Sequence, residues 1–155
     1  MACLNWTLLI ILFLPGINGF TQSTPSSEVK QQIELFFEAF HAQDSTEIKK
    51  MVREDMVLQT MGFDKDGHSR FRTESFEQFL SGLMAIPDTL EYREELLEFN
   101  IQIDGPMAHV WTPYRFWIGD RLRHCGVNSF QLFNDGHQWH IIYLADTRRR
   151  QGCDQ

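Results

Sequence analysis

The chain has 155 residues, three cysteines and a formal charge of −7. That length suits one domain, with enough chain to bury about two thirds of its unfolded surface without staples. The acidic balance gives no electrostatic footprint for nucleic acid, so no nucleic-acid partner is expected.

The opening MACLNWTLLIILFLPGINGF carries an unbroken apolar run, Leu8 to Leu14, stopped by Pro15 and Gly16. The run is far short of the roughly 20 residues that span a bilayer, and small Gly19 suits a cleavage site. Residues 1–19 therefore read as a signal peptide, which makes the protein periplasmic or secreted, with no membrane contact after cleavage. No cysteine follows the run to carry a lipid. The segment holds no charged side chain, so the net charge belongs wholly to the mature domain.

Residues 20–27, with TQSTPSS, read as a linker ahead of a single domain over 28–155. Ser26 or Ser27 can cap a first helix, in which Val29, Ile33, Phe36, Phe37 and Phe40 recur at helical spacing. His41 should end that helix as a cation on its C-terminal dipole. Asp44 caps a shorter helix through Ile48, Met51 and Val52. DMVLQTMGF, Asp55 to Phe63, reads as a strand. Asp64 to Arg70 (DKDGHSR) resembles half a calcium loop, but the later ligand positions are missing and turn chemistry explains it better. Thr73 starts a third helix, with Phe76, Phe79, Leu80, Leu83 and Met84 on one side and Pro87 at its end.

Strand signals follow: Leu90 to Ile103, Met107 to Ile118, Arg121 to Phe133 and His137 to Asp146. The turns between them are Asp104-Gly105-Pro106, Gly119-Asp120 and Asn134-Asp135-Gly136. Three helices, with one strand among them, followed by four hairpin-linked strands make an α+β domain whose helices cover one sheet face. Arg148, Arg149 and Arg150 read as a solvated tail.

The stretch HCGVNSFQLF, His124 to Phe133, sets polar groups against this pattern. His124 and Asn128 share a parity with Phe130 and Leu132 and so face the core side. A two-residue Asp135-Gly136 loop would pair Leu132 with Trp139, Phe130 with Ile141 and Asn128 with Tyr143. At Gly119-Asp120, a two-residue turn would put His109, Arg115 and Trp117 inward. A three-residue turn with a bulge would instead turn in Ala108, Val110, Thr112, Tyr114 and Phe116. Burying Arg115 unpaired is costly, which favours the bulged register. An imidazole and an amide beside aromatic walls on a concave face are what a small-molecule pocket needs.

In the order of its elements, and in HCGVNSFQLF followed by a DG turn and WHIIYLADTRRRQGC, the chain resembles the nuclear-transport-factor-2-like superfamily. The branch is that of exported bacterial proteins called SnoaL-like or lumazine-binding, and the resemblance covers roughly Ser26 to Cys153. It implies a cone-shaped fold, three helices packed on a curved antiparallel sheet that encloses a pocket. Enzymes of this type pair an Asp base with a His or Tyr, to which His124 and Tyr114 correspond here. No Asp sits on the inward parity of the favoured register, where Asp146 falls on the opposite side.

The leading expectation is an exported small-molecule-binding protein. Thr112, Tyr114, His124 and Asn128 would supply hydrogen bonds, and Phe116, Trp139 and Tyr143 the walls. The alternative is an isomerase, dehydratase or cyclase with His124 as general acid or base and Tyr114 and Asn128 stabilising an oxyanion. A third reading is a dimerisation module, a homodimer through the outer sheet face, where parity puts Val127, Phe133, Ile142 and Leu144. No cofactor is implied. No metal site is expected either, since His137 and His140 lie three apart on a strand and face opposite ways. Cys125 and Cys153 remain after cleavage; export allows a bridge between them, and two free thiols are the alternative.

Overall fold

The computed structural model describes residues 23–153; the leader expected over residues 1–19 lies outside them. The first helix, α1, spans Pro25–His41 and begins inside the expected linker. Thr24 caps it by accepting from the Ser27 amide, and Pro25 occupies the first turn, where its missing N–H costs nothing. α2 (Ser45–Met51) is capped by Asp44 as expected. It leads directly into β1 (Val52–Phe63).

The hairpin after β1 was not foreseen. β2 (Ser69–Ser75) pairs antiparallel with β1, Met61 facing Phe71, and only then does α3 (Phe76–Met84) begin under a Ser75–Gln78 capping box. β2 is an edge strand, almost wholly exposed, and Arg70, Arg72 and Glu74 blunt its free edge. No half-buried alternation exists in it to be read. The loop between the two strands is built on Asp64, which accepts from the Asp66 and His68 amides and binds the Arg70 guanidinium at 2.6 Å. Its oxygens serve the turn.

The expected long strand from Leu90 to Ile103 is two: β3 (Tyr92–Leu96) and β4 (Asn100–Asp104). Both pair with β5 (Met107–Ile118), and the break lies opposite Pro113, which has no N–H for the ladder. β6 (Arg121–Asn134) and β7 (Trp139–Arg148) complete an open seven-stranded sheet in the order β2-β1-β7-β6-β5-β3, with β4 beside β5. One pairing departs from the antiparallel expectation, since β1 runs parallel to β7.

α1 lays Val29, Ile33, Phe36 and Phe37 on the sheet, and Phe36 and Phe37 both meet the Phe130 ring edge-on. Phe130, Leu132, Trp139 and Ile141 form the expected apolar band, each 4 % exposed or less. α3 adds Phe76, Leu80 and Leu83 to the core, while Met84 is exposed rather than packed. The result is the α+β cone expected from the chain: helices on the concave face of a curved, unclosed sheet.

Candidate functional site

Two β-bulges decide which side chains meet on the concave face. The first lies between β5 and β6. Ile118 pairs with Arg121 across a two-residue turn, and the register slips between Phe116 and Trp117, so that Phe116 faces His124. The favoured inward set Ala108, Val110, Thr112, Tyr114 and Phe116 is therefore correct, although the extra residue lies in β6 and not in the turn.

The second bulge overturns the register expected for the last hairpin. Asn134 pairs with Trp139 around a four-residue turn in which Asp135 accepts from the His137 and Gln138 amides. Leu132 pairs with Ile141, but the next pair is Gln131 with Tyr143, which leaves Ile142 as the extra residue. Past that point the β7 side chains exchange faces. Asn128 lies opposite Asp146 rather than Tyr143, and Phe130 lies opposite Leu144 rather than Ile141. Tyr143 turns to the outer face, where its hydroxyl donates to Gln59. Leu144, expected outside, packs on the core.

The bulge thereby brings a carboxylate into the cone. Asp146 accepts from the Thr60 hydroxyl at 2.6 Å and from Arg148 Nε at 2.7 Å. The Tyr114 hydroxyl donates to the Thr147 carbonyl at 3.0 Å and lies 3.4 Å from Asp146 Oδ2. A second carboxyl comes from β3: Asn128 Nδ2 donates to Glu94 Oε1 at 2.6 Å. Thr112 is fully buried beside Asn128 in the ladder. His124 stacks on Phe116, ring centroids 4.8 Å apart, and meets Tyr114 edge-on at 5.7 Å.

Burial sets the proton affinities of this group. It raises the Glu94 carboxyl to about 7, only partly opposed by the Asn128 hydrogen bond. It also raises the Tyr114 phenol, helped by the negative charge of Asp146, and the hydroxyl stays a donor at neutral pH. His124 is pushed down to about 4, first by burial and then by Arg148. Its imidazole is thus neutral at pH 7, and not poised near 6.5 as its residue type suggests. His41 is likewise lowered by burial and by Arg93. Its Nε2 accepts from the Glu94 amide at 2.9 Å, so it ties α1 to β3 as a neutral acceptor and not as the cation expected at the helix end.

Of the residues singled out in the sequence, Thr112, Tyr114, Phe116, His124 and Asn128 come together. Trp139 and Tyr143 do not. Trp139 lies in the apolar core beside Asn134, about 30 Å along β6 from His124, with its Nε1 buried and unpartnered. Glu94 and Asp146 were missed. For Glu94 a usable signal existed: it shares the parity of Tyr92 and Leu96. For Asp146 none did, because the bulge at Ile142 leaves no mark in the composition of β7.

An open cavity of about 370 Å³ adjoins this cluster at its His124 end, between Arg123 on β6 and residues 150–153 of the tail. Cys125 and Cys153 are joined by a disulfide, Cα atoms 5.6 Å apart, which closes that tail onto β6. A second open cavity, of about 460 Å³, lies between the β1–β2 hairpin and the end of β7 and reaches Arg148.

No family model and no curated protein matches the sequence. The fold has many solved counterparts. An NTF2-like protein from Cytophaga hutchinsonii superposes with a TM-score of 0.66 at 10 % identity, over 82 % of this chain and 100 % of that one. An NTF2-like protein of unknown function from Pseudomonas putida gives a TM-score of 0.60 at 18 % identity, over 78 % and 84 %. A conserved protein from Planctomyces limnophilus gives 0.64 at 17 %, over 80 % and 95 %. At these identities the likeness is one of fold: the chain has the nuclear-transport-factor-2-like architecture that its sequence resembles.

Proposed function

We propose that the protein is an exported small-molecule-binding protein whose ligand is held at the Glu94–Asn128 end of the cone and reached past His124. The observation that carries this reading is the convergence of Glu94, Tyr114, Asn128 and Asp146 from four strands, beside Thr112 and His124, onto the concave face that carries the apolar core. Withdrawing the Glu94 carboxyl from water costs several kcal/mol that an apolar side chain of the same volume would not incur. A ligand carrying polar groups gives that expense a use. Export is supported by the apolar leader and by a disulfide suited to an oxidising compartment.

The test is native mass spectrometry of the protein expressed with its own leader. The expected species begins near Phe20, lacks two hydrogens and carries an adduct that Asn128→Ala and Glu94→Gln both lose. An adduct held equally well by both variants would sink the proposal.

One observation favours a catalytic variant of this reading. A carboxyl with a proton affinity near neutrality is suited to general acid–base work, so Glu94 takes the role expected of His124. If Glu94 turns the ligand over, Glu94→Gln will retain an adduct of unconverted substrate instead of losing it, while Asn128→Ala still loses it. The outer sheet face exposes Met107, Trp111 and Phe133, which supports a homodimer through that face.

A further inference from the structure

We propose that the cavity beside the disulfide is an oxyanion site, and that it selects ligands bearing a carboxylate or phosphate through Arg123 and Arg150. The inference rests on the ligand reading above and deepens it by assigning one end of the ligand.

The tail after β7 contributes little to the core, yet it is held at four points. Cys125 and Arg149 exchange both backbone hydrogen bonds at 2.9 Å. The disulfide fixes Cys153, and Arg115 Nε donates to the Cys153 carbonyl at 3.2 Å. Gly152 takes a φ of 66°, the left-handed turn that lets the tail fold back. A solvated tail needs none of these restraints.

What they do is bring Arg150 into the lining of the same cavity as Arg123 and His124. Both arginines are exposed, and among the described residues neither has a carboxylate within ion-pair reach, as is also true of Arg115, Arg121 and Arg149, whereas Arg53, Arg70, Arg72, Arg93 and Arg148 each have one. Two cationic side chains on one cavity repel each other, and on a chain of charge −7 this positive mouth runs against the global balance. Both also act on His124, adding to the effect of Arg148 in holding its proton affinity down. An oxyanion between the two guanidinium groups reverses each of these penalties and is matched in shape by their planar forks. The neighbouring rings of Phe116 and His124 then suit an unsaturated or aromatic body behind the anionic group.

The probes are inorganic phosphate and acetate, titrated separately into ¹⁵N-labelled mature protein at an ionic strength held constant with chloride. Saturable shifts confined to the amides of His124, Gln151 and Gly152 are expected. Tighter saturation by phosphate assigns a phosphoryl group, and tighter saturation by acetate a carboxylate. Arg123→Gln and Arg150→Gln, both surface changes that leave the core intact, should each weaken binding roughly tenfold, while Arg53→Gln leaves it unchanged. Shifts that fail to saturate with either anion, or an affinity undiminished in the double variant, would overturn the proposal. Because Asn128 and Glu94 take no part in this titration, its failure beside a persisting native adduct removes the anion assignment alone.

Discussion

A Cβ atom at residue 126 would lie 1.7 Å from the Thr147 carbonyl oxygen and 2.9 Å from the Tyr114 ring. Gly126 is thus what allows Tyr114 to lie flat across β6 and reach the Thr147 carbonyl. Because the clash is with backbone, Gly126→Ala should cost ~3 kcal/mol or more, lowering the melting temperature by well over several degrees, and should displace the Tyr114 ring from its packed resonance positions in an NMR spectrum. Glu94 governs the pH dependence at the same scale. Its carboxyl binds a proton more tightly folded, at about 7, than unfolded, near 4.5. The folded state therefore holds more protons across that interval, and this contribution to stability is full below 4.5 and lost as the pH rises through 7. Thermal melts of the native protein and Glu94→Gln should run together at pH 4 and diverge above it, with the variant more stable at pH 8 by on the order of a few kcal/mol. His41 and His124 act in the opposite sense, losing stability as the pH falls below 6.5. Both are present in either protein, so their effect cancels in the comparison.

Among the elements, the junction of the three helices depends on one side chain. Gln43, the only non-glycine residue with positive φ among the described residues, donates from Nε2 to the carbonyls of Leu83 and Ile86 at 2.8 and 2.9 Å. Leu83 lies in the last turn of α3, where its carbonyl also accepts from the Ile86 amide, and Ile86 lies two residues past the helix end. Gln43→Ala should leave the Ile86 carbonyl unpaired and cost ~1–3 kcal/mol, read as a lower midpoint in urea with an unchanged slope. The elements themselves were legible to very different degrees. α1 and α3 could be read from Phe and Leu periodicity, and β5 from its β-branched and aromatic content, because packing against a core imposes a period. β2 could not, since an exposed edge strand satisfies its backbone on one side only and buries almost nothing. The division of β3 from β4 was equally hidden, although Pro113 in the partner strand marks where the ladder must lapse.

For the molecule as a whole, the Cys125–Cys153 bridge closes a loop of sequence separation 28 around β7. Constraining the unfolded chain over that span is worth ~3.5 kcal/mol by the loop-entropy relation, so reduction should lower the denaturation midpoint accordingly. The sheet's outer face supplies the other global prediction. Met107 faces Phe133 across the β5–β6 ladder and Trp111 lies nearby, all three exposed. Sedimentation of residues 20–155 should give a dimer that Trp111→Glu converts to monomer. A native monomer would rule out that use of the face.

The amphipathic periods and the turn residues were enough to specify an α+β domain with helices on one sheet face, its apolar band and the inward parity of His124 and Asn128, because each follows from local geometry; the cone shape came from the family resemblance. The composition of the polar cluster was not specified in the same way. Which β7 residues face inward depends on where one extra residue is absorbed, and β6 and β7 settle that jointly when Phe130 and Leu132 find their partners. Glu94 joins Asn128 only because β3 and β6 both flank β5 in the folded sheet. A site assembled from distant strands is fixed by register, and register is a property of pairs of strands.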